Sequence, residues 1–390
     1  MKILYDYQIF SHQNYGGPSR YYVQLAENLH ELKHKPSIVA GFHLNEHLKE
    51  IKYKNIVTGK KILFSKIINK SNKLKKFIGN LNKNIFLKIS KDKNPDVMHY
   101  TYFDNINDNI NCKKIITVYD LIHEIFYDDY KKNKFYRPKK EIIQKADNII
   151  CISNSTKNDL IKYYNVDEKK IRVIYLGNNI KKIKNNYPKY YEKFLKLPYI
   201  LFVGKREGYK NFDNLLKTFS ENLSKLKDVY IVCFGGSNFS KKEIKKIRDL
   251  KLDFSKIIYV EGNDELISLF YQNARLFVYP SKYEGFGLPI LESFTNECPV
   301  ICSNTSSFPE VGGDAVSYFD PYKTDSIFES IYKTFYSDSF RNELILKGQS
   351  RNKLFTWKKT ALDHLNLYKS WIIKVILKGK IILLNLWKKH

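Results

Sequence analysis

Short runs of β-branched and aromatic residues alternate with longer amphipathic segments along most of the chain. Parallel strands need a long crossover between them, usually a helix, and helices on both faces make such strands continuous apolar runs. The alternation therefore predicts an α/β fold with parallel, doubly covered sheets. The predicted strands are Ile3–Tyr5, Val97–Tyr100, Ile115–Val118 and Ile149–Ser153 in the first half, and Tyr199–Val203, Tyr230–Phe234, Ile257–Val260, Leu276–Tyr279 and Pro299–Cys302 in the second. The predicted helices include Ser19–Leu32, Asn211–Leu226 and Asp264–Asn273.

The strand runs fall into two groups, separated by a segment rich in Lys, Asn and Tyr. A chain of 390 residues exceeds what one hydrophobic core usually spans. We therefore predict two Rossmann-like domains with a ligand cleft between the carboxyl ends of their strands. The predicted units are a first domain at 1–180, a linker at 181–197, a second domain at 198–350, a C-terminal helix at 351–368 that can cross back to the first domain, and a basic apolar tail at 369–390.

Five dispersed cysteines form no CxxC pair, and no histidine stands at metal-ligand spacing to them. This pattern is typical of reduced, buried thiols and predicts neither a disulfide framework nor a zinc site. Asp6 interrupts the apolar stretch that a signal peptide needs, and the sequence has no run of 18 uncharged apolar residues to span a membrane. We therefore expect a cytoplasmic protein that can be peripheral at the inner face of a membrane.

The net charge of +27 admits nucleic acid, anionic lipid and phosphorylated metabolites as partners. A general preference for Lys explains the total equally well, so the distribution of the lysines is more informative. Residues 51–91 contain twelve Lys and no acidic residue, and residues 369–390 contain six Lys and no acidic residue. These runs carry no RNP-type aromatic motif, zinc spacing or helix-turn-helix pattern, so we expect no nucleic-acid partner.

Apolar residues recur at helical spacing within 62–89, and lysines fill much of the opposite face. The apolar residues are Leu63, Ile67, Leu74, Ile78, Leu81 and Ile85. This pattern is typical of a helix that lies on an anionic membrane surface. The tail at 369–390 alternates apolar clusters with lysines and has the same capacity. A surface helix packed on the core, with a docked C-terminal helix, is the alternative interpretation.

The strongest candidate for a site is the sequence Glu-Gly-Phe-Gly-Leu-Pro-Ile-Leu-Glu at 284–292, between a predicted strand and a predicted helix. Gly285 and Gly287 let the backbone approach a ligand closely. Free amides at the helix start, at the positive end of its dipole, suit a diphosphate. The carboxylates of Glu284 and Glu292 can accept paired hydrogen bonds from the hydroxyls of a sugar or a ribose. An ordinary helix start with acids near its dipole is the alternative.

A basic loop follows the predicted strand Tyr199–Val203 and begins with Gly204. Lys205, Arg206 and Lys210 place three cations within six residues of this loop. Arg206 can bind a diphosphate bidentately, and Lys210 can supply a point charge as the bond to the leaving group breaks. A solvated basic loop is the alternative in a chain this rich in Lys.

A Gly-Gly turn follows the first predicted strand. Gly16 and Gly17 lead through Pro18 into a predicted helix that carries Arg20. With Ser19 as the N-cap, such a turn suits a phosphate or sugar loop. Gly-Gly turns are common in loops of every kind, so this motif is weak by itself.

Together these three motifs resemble those of the family 4 glycosyltransferases, which are retaining enzymes of the GT-B fold. The most specific part is the pair of glutamates Glu284 and Glu292, with seven residues between them. The opening, from Ile3–Asp6 through Gly16–Tyr21, resembles mannosyltransferases of bacterial surface-polysaccharide assembly. The resemblance covers roughly residues 1–368. Further matching segments are Ala146–Ser153, Ile171–Asn178, Ile200–Gly204, Pro299–Asn304 and Phe308–Ala315.

The resemblance implies that the second domain binds a nucleotide sugar, with no metal and no other cofactor. Glu284 would contact the transferred sugar and Glu292 the ribose. Arg206 and Lys210 would bind the diphosphate, with the backbone at Phe286–Leu288 completing that site. The implied reaction moves a hexose to a glycan or lipid-linked glycan with retention. GDP-mannose is the expected donor only because the opening motif resembles mannosyltransferases, since no residue of the sequence identifies the base or the sugar. Departure and attack on the same face of the sugar need no covalent nucleophile.

Many members of this family carry His in a Val-His-Asp element that faces the sugar, whereas this chain has Tyr119 before Asp120. Tyr119 can still donate a hydrogen bond, but the role of the histidine does not carry over. Asp120, His123 and Glu124 are candidates for the acceptor side, and each can equally be a helix-start residue without chemistry. The turn at Gly16–Arg20 is assigned to the same acceptor or sugar loop.

Three other classes of function stay open. One is a donor-binding module without catalysis, against which the presence of both Glu284 and Glu292 argues mildly. A sugar-nucleotide epimerase can use the same two-domain architecture, and it would convert the nucleotide sugar without an acceptor. A basic nucleic-acid-binding protein would bind DNA or RNA with strong salt dependence.

Overall fold

In a computed structural model, two parallel sheets of seven and six strands, with helices on their faces, make up the described part of the chain. This architecture confirms the predicted α/β fold class. The predicted amphipathic segment and the predicted tail fall partly outside the described residues. The structure describes residues 1–62, 71–104, 106, 110–130, 139–183 and 189–370.

The first sheet lies within the first half of the chain. Its strands are β1 (Lys2–Tyr5), β2 (Lys35–His43), β3 (Val57–Lys61), β4 (Val97–Tyr100), β5 (Lys113–Val118), β6 (Asn148–Cys151) and β7 (Ile171–Val173). Among the described residues their order is β3-β2-β1-β4-β5-β6-β7, and every neighbouring pair is parallel. The four predicted strands correspond to β1, β4, β5 and β6, whereas no strand is predicted from the sequence at β2, β3 or β7. The edge strand β3 gives little signal because its sequence, VTGKK, is polar and largely exposed.

The second sheet is built in the same way. Its strands are β8 (Tyr199–Val203), β9 (Tyr230–Phe234), β10 (Ile257–Val260), β11 (Leu276–Tyr279), β12 (Val300–Ser303) and β13 (Val316–Phe319). Their order in the described chain is β10-β9-β8-β11-β12-β13, again parallel throughout. All but the edge strand β13 match predicted strands. The central pair β8 and β11 carries both strong sequence motifs on the loops at its carboxyl edge.

Helices connect the strands. In the first half they are α1 (Gln8–His12), α2 (Gly17–Glu31), α3 (His47–Glu50), α4 (Asn72–Lys93), α5 (Ile122–Ile125), α6 (Tyr127–Tyr130), α7 (Lys140–Lys145) and α8 (Asn154–Tyr164). In the second half they are α9 (Lys189–Leu195), α10 (Phe212–Glu221), α11 (Lys241–Asp249), α12 (Asp264–Asn273), α13 (Leu288–Thr295), α14 (Phe308–Gly312), α15 (Thr324–Tyr336) and α16 (Asp338–Asn352). A further helix, α17, covers 357–370.

Successive residues of the central strands are buried on opposite faces of the sheets. Ile3 and Tyr5 of β1 pack into one hydrophobic cluster, and Leu4 packs into another. Leu201 and Phe202 of β8 divide in the same way. Because both faces of these strands are covered, nearly every position is apolar, which explains why the strands were readable from the sequence.

The chain crosses between the two halves twice, and the crossings lie side by side. The first crossing follows β7, and the second connects α16 to α17. The N–H of Asn178 donates to the Phe355 carbonyl at 3.2 Å. A Cβ atom on Gly177 would lie 2.2 Å from the backbone nitrogen of Trp357, so only glycine permits this contact.

The helix α17 packs on the first half through a buried polar network. The Nε2 atom of His364 lies 2.5 Å from the Tyr21 hydroxyl. The Tyr368 hydroxyl lies 2.8 Å from Nδ1 of His99, which belongs to β4. Both histidines are fully buried, so the neutral imidazole is favoured and its hydrogen bonds hold the last helix of the described chain against the first sheet.

The buried histidines predict a loss of stability in acid. Burial lowers the pKa of His364 to about 4 and the pKa of His99 well below its usual value. The unfolded chain protonates these groups below about pH 6.5, whereas the folded chain keeps them neutral. The free energy of unfolding should therefore be highest above about pH 6.5 and fall as the pH decreases toward about 4. His43 and His47, whose pKa burial also lowers to about 4, add to the trend.

Urea unfolding followed by circular dichroism at several pH values between about 7.5 and 4.5 measures this slope. The slope of the free energy of unfolding against pH is proportional to the number of protons taken up on unfolding. In His364→Gln this number should fall by about one, because residue 364 no longer titrates. A stability that does not change over this pH range would contradict the prediction.

Candidate active site

Lys210 and Glu284 form a close ion pair at the carboxyl edge of the second sheet. Because β8 and β11 are hydrogen-bonded neighbours, the loops that follow them meet there. The Nζ atom of Lys210 lies 2.6 Å from Oε1 of Glu284, and the two side chains are only 17% and 11% exposed. The structure thus joins the catalytic candidates of two separate motifs in one place.

Two aromatic rings lie close to the ammonium group of Lys210. Its Nζ atom lies 5.2 Å from the ring centroid of Tyr209 and 5.5 Å from that of Tyr279. The N–H of Lys282 donates to the Tyr209 carbonyl at 2.7 Å, which ties the two loops together. A partly desolvated ammonium group held in this way interacts strongly with the oxygens of a phosphate.

Two serines hold the loop that carries Glu284. The N–H of Glu284 donates to the Ser306 hydroxyl at 3.0 Å. The Ser307 hydroxyl lies 2.9 Å from the Glu284 carbonyl and 2.8 Å from the Phe286 carbonyl. Gly287 caps α13 with a φ of 107°, a conformation that favours glycine. The backbone of Phe286, Gly287 and Leu288 therefore forms the start of a helix, as the predicted diphosphate site requires.

The backbone of Gly285 lies directly against the first half. A Cβ atom at this position would lie 1.9 Å from the Tyr119 carbonyl oxygen and 3.1 Å from Cβ of Asp120. The Thr156 hydroxyl lies 3.3 Å from the Gly285 carbonyl. The sequence predicts that Gly285 lets the backbone approach a ligand. In the structure, the missing side chain leaves room for the backbone of the first half. This contact brings Tyr119 and Asp120 to the edge of the candidate site.

The charges of Glu292 and Arg20 act on each other across the two halves. Burial raises the pKa of Glu292, and the charge of Arg20 opposes that shift. The Tyr271 hydroxyl lies 3.4 Å from Oε2 of Glu292. Arg20, on α2, reaches across to Asp264 at 2.6 Å. A carboxylate with a cation nearby and a raised pKa suits recognition of hydroxyl groups, which can donate to it.

Gly16 and Gly17 position Arg20 rather than contact the pair of catalytic candidates. Gly17 is the first residue of α2, and a Cβ there would meet nothing within 4 Å. A Cβ on Gly16 would lie 2.4 Å from the side chain of Gln13. The turn therefore serves the entry of α2, which places Arg20 at the cleft.

The structure does not bring Arg206 to Lys210 and Glu284. The Arg206 side chain is 3% exposed and donates from Nε to Glu243 at 2.6 Å and from Nη2 to the Ser237 carbonyl at 2.5 Å. Its guanidinium also packs over the Phe239 ring at 4.6 Å. These contacts are structural, so the predicted direct role of Arg206 at the diphosphate does not fit the geometry.

Lys205 is the exposed cation of the same loop. It follows Gly204, whose φ of 104° turns the chain at the end of β8. The N–H of Gly204 donates to the Phe234 carbonyl at 2.8 Å, which fixes the turn. Lys205 thus remains available to a ligand, in contrast to its buried neighbour Arg206.

Lys139 is a residue that sequence reasoning missed. Its Nζ atom lies 3.1 Å from the Asp120 carbonyl and 3.1 Å from Oε2 of Glu124. The Lys139 and Glu124 side chains are 9% and 6% exposed, and the Tyr164 hydroxyl donates to Glu124 at 2.6 Å. Glu124 therefore braces the loop that carries Asp120 and His123. Lys139 gave no signal because it is one of 67 basic residues in the sequence.

Within the described residues, no group of three or more His, Cys, Asp or Glu side chains is arranged to hold a metal ion. In the same part of the chain, no helix combines the length and apolar character needed to cross a membrane. The five cysteines are all buried and unpaired, as predicted.

Two family models match consecutive parts of the chain. The model described as Glycosyltransferase Family 4 matches residues 15–182, and the model described as Glycosyl transferases group 1 matches residues 183–351. The chain belongs to the family 4 glycosyltransferases. These matches do not favour two of the alternatives, a sugar-nucleotide epimerase and a nucleic-acid-binding protein.

Several of the similar curated proteins are named as mannosyltransferases. O-antigen chain mannosyltransferase B of Escherichia coli is 44% identical over 27% of this chain and 28% of its own length. The serotype-specific mannosyltransferase WbdA of Escherichia coli is 28% identical over 65% of this chain and 33% of its own length. RfbU, an O-antigen chain mannosyltransferase of Salmonella typhimurium, is 29% identical over 53% of this chain and 56% of its own length. The chain thus matches about a third or less of the full length of the first two of these relatives.

Solved structures of low identity share the fold. A sucrose-phosphate synthase from Thermosynechococcus elongatus is 18% identical with a TM-score of 0.72, covering 96% of this chain and 99% of its own. Anabaena HepE, solved with UDP and glucose, is 13% identical with a TM-score of 0.71, covering 95% and 99%. The glycosyltransferase therefore has the GT-B fold, as predicted.

The contact at Gly285 predicts a strong effect of a single methyl group. In Gly285→Ala the new Cβ overlaps the Tyr119 carbonyl, so the loop that carries Glu284 must move away from the first half. A displacement of about 1 Å at a catalytic group can cost up to about a hundredfold in rate. We expect kcat/KM for glycosyl transfer to fall at least about tenfold while Tm changes little.

Gly79→Ala is the matched control, because a Cβ at Gly79 in α4 meets nothing within 4 Å. Its activity should equal that of the wild type. Full activity in Gly285→Ala would show that the tight contact between the halves is not needed for transfer.

Proposed function

We propose that this enzyme is a retaining, metal-independent mannosyltransferase that uses GDP-mannose and extends a glycan or a lipid-linked glycan. The observation that carries the proposal is the largely buried Lys210–Glu284 pair at the cleft, 2.6 Å apart. Several relatives of the chain are named as mannosyltransferases, which supports the choice of sugar. The pair combines a cation suited to a leaving diphosphate with a carboxylate suited to sugar hydroxyls.

In the proposed reaction, the bond between C1 of the sugar and the diphosphate oxygen breaks while an acceptor hydroxyl oxygen bonds to C1 on the same face. The proton of that hydroxyl passes to the departing diphosphate. Lys210 stabilises the negative charge that develops on the leaving group, and Lys205 assists from the exposed side of the loop. Glu284 holds the sugar hydroxyls, and Glu292 accepts hydrogen bonds from the ribose.

Mannose as the sugar and a surface polysaccharide as the acceptor rest on the names of the relatives, which include O-antigen chain mannosyltransferases. Glu292 with its raised pKa and the nearby Arg20 support a hydroxyl-rich ligand at the nucleotide end of the cleft. Tyr119 and Asp120 at the Gly285 contact support the first half as the acceptor side.

A thermal-shift screen against GDP-, UDP- and ADP-sugars in EDTA tests the donor. A ligand at about a hundred times its Kd adds about 2.7 kcal/mol to stability, which gives a measurable shift. We expect GDP-mannose to raise Tm in the wild type and in Lys217→Met, a surface control on α10, but not in Lys210→Met. A shift only with UDP- or ADP-sugars would overturn GDP-mannose as the donor.

Turnover tests the chemistry. Transfer from GDP-mannose to a mannosylated acceptor should proceed equally in EDTA and in added Mg²⁺, and the product should keep the anomeric configuration of the donor. Glu284→Gln and Lys210→Met should each lower kcat at least about tenfold, because each removes a contact to the transition state. Near-normal rates in either variant would remove that residue from the active site, and loss of activity in EDTA would refute metal independence.

We also propose that the first half docks on an anionic membrane surface. The helix α4 carries lysines along its length, and the Phe77 side chain on it is 65% exposed. An exposed aromatic ring beside lysines suits the headgroup region of a bilayer, where each Lys contributes about 1 kcal/mol. A lipid-linked acceptor would then lie at the same surface.

Co-sedimentation with vesicles tests this surface. The wild-type protein should bind vesicles that contain about 30% phosphatidylglycerol and should lose binding in high salt. Phe77→Ser should weaken binding several-fold, whereas Leu346→Ser, which removes a similarly exposed residue (66%) from the second half, should not. Equal binding of both variants would place the membrane contact elsewhere.

A further inference from the structure

One glutamate of the second half accepts several hydrogen bonds from the first half. The Oε2 atom of Glu310 accepts from the N–H of Asn154 at 2.8 Å, and Oε1 accepts from the N–H of Ser155 at 2.9 Å. The side-chain amide of Asn154 and the Tyr175 hydroxyl also donate to Oε2, each at 3.1 Å. These bonds join residues about 135 to 156 positions apart in the sequence.

The amides that Glu310 accepts have no partner within their own helix. Asn154 and Ser155 are the first two residues of α8, and the first amides of a helix lack intrahelical acceptors. The N-cap Ser153 accepts from the N–H of Thr156 instead. A carboxylate at this end of a helix also interacts favourably with the helix dipole. Glu310 therefore completes the cap of a helix that belongs to the other half.

The first two turns of α8 also contact the catalytic loop. The Thr156 hydroxyl lies 3.3 Å from the Gly285 carbonyl, and Asp159 accepts from the Tyr283 hydroxyl at 2.7 Å. Residues of the Glu284 loop thus contact α8 directly, beside the Glu310 contact. One surface of the first half holds both.

On the second half, Glu310 is rigidly connected to the same loop. The segment that leads into its short helix, α14, contains Ser307, which lies within hydrogen-bond distance of the Glu284 and Phe286 carbonyls. The guanidinium of Arg351 donates to the Glu310 carbonyl at 2.7 Å and fixes α14 from behind. A change in the position of the Glu310 side chain would therefore also shift the loop that carries Glu284.

We propose that Glu310 is a positioning residue that locks the two halves together over the donor, so that Glu284 faces the acceptor side in the correct place. The carboxylate touches no reacting atom. Its bonds to α8 form when the cleft closes and must break when the cleft opens. This inference rests on the proposed function only for its effect on turnover, because the contact itself belongs to the structure.

Hydrogen exchange at residue resolution tests the lock directly. Since the amides of Asn154 and Ser155 lack intrahelical acceptors, any protection of these two positions comes from Glu310. In Glu310→Ala their exchange should become at least about tenfold faster, while the Thr156 amide, capped by Ser153, should stay protected. Glu310→Gln keeps one acceptor oxygen and should give an intermediate result. Exchange at wild-type rates in Glu310→Ala would overturn the proposal.

Kinetics test the consequence for catalysis. In Glu310→Gln we expect kcat for transfer to fall at least about tenfold, with the GDP-mannose thermal shift unchanged, because the donor contacts lie in the second half. Glu329→Gln, an exposed acid of the same half, should behave as the wild type. A loss of donor binding in Glu310→Gln, or full activity, would refute the positioning role. If the wild type transfers no mannose, the exchange result still decides the lock while the proposed function fails.

Discussion

The contact between the Gly285 backbone and the Tyr119 carbonyl fixes how the two halves face each other. Lys210 and Glu284 both lie on loops that follow strands of the second sheet, but the loop that carries Glu284 rests against the first half. Without a side chain at 285, two backbone segments approach to within the space of one methyl group. The size of the cleft therefore depends on the smallest residue in the motif.

Two ion pairs from one loop show how neighbouring cations take different roles. The guanidinium of Arg206 is buried and donates hydrogen bonds to Glu243 and to the Ser237 carbonyl, so it stiffens the loop. Lys210 is paired with Glu284 at the mouth of the cleft and keeps partial access to solvent. A buried ion pair adds little net stability, because desolvation offsets the attraction of the charges. The Lys210–Glu284 pair is better understood as charge held ready for a ligand.

Most strands that are buried on both faces could be predicted from the sequence, but β2, which is buried over most of its length, was not predicted. The central strands β1, β4, β5 and β6, and five of the six strands of the second sheet, have apolar runs that mark them. The edge strand β3 was not predicted, because exposed lysines and a glycine replace the apolar pattern there. The boundary of α10 was placed five residues too late, since its last turn gives way to a tight turn after Glu221.

The site was predictable in its motifs but not in its partners. Glu284 and Lys210 were found because glycines and charges follow strand ends. The enclosure of Arg206 depends on Glu243, which lies 37 residues away, and the bracing of Asp120 by Lys139 depends on a loop fold. Such pairings are set by tertiary structure, which one sequence without its fold does not encode in any local pattern.

The paired crossings at Gly177 and Trp357 put both connections between the halves of the described chain in one place. Two segments of backbone are in contact there and are joined by the Asn178–Phe355 hydrogen bond. Any change in the width of the cleft that keeps this bond must therefore turn about the crossings, because the two halves stay joined at that point.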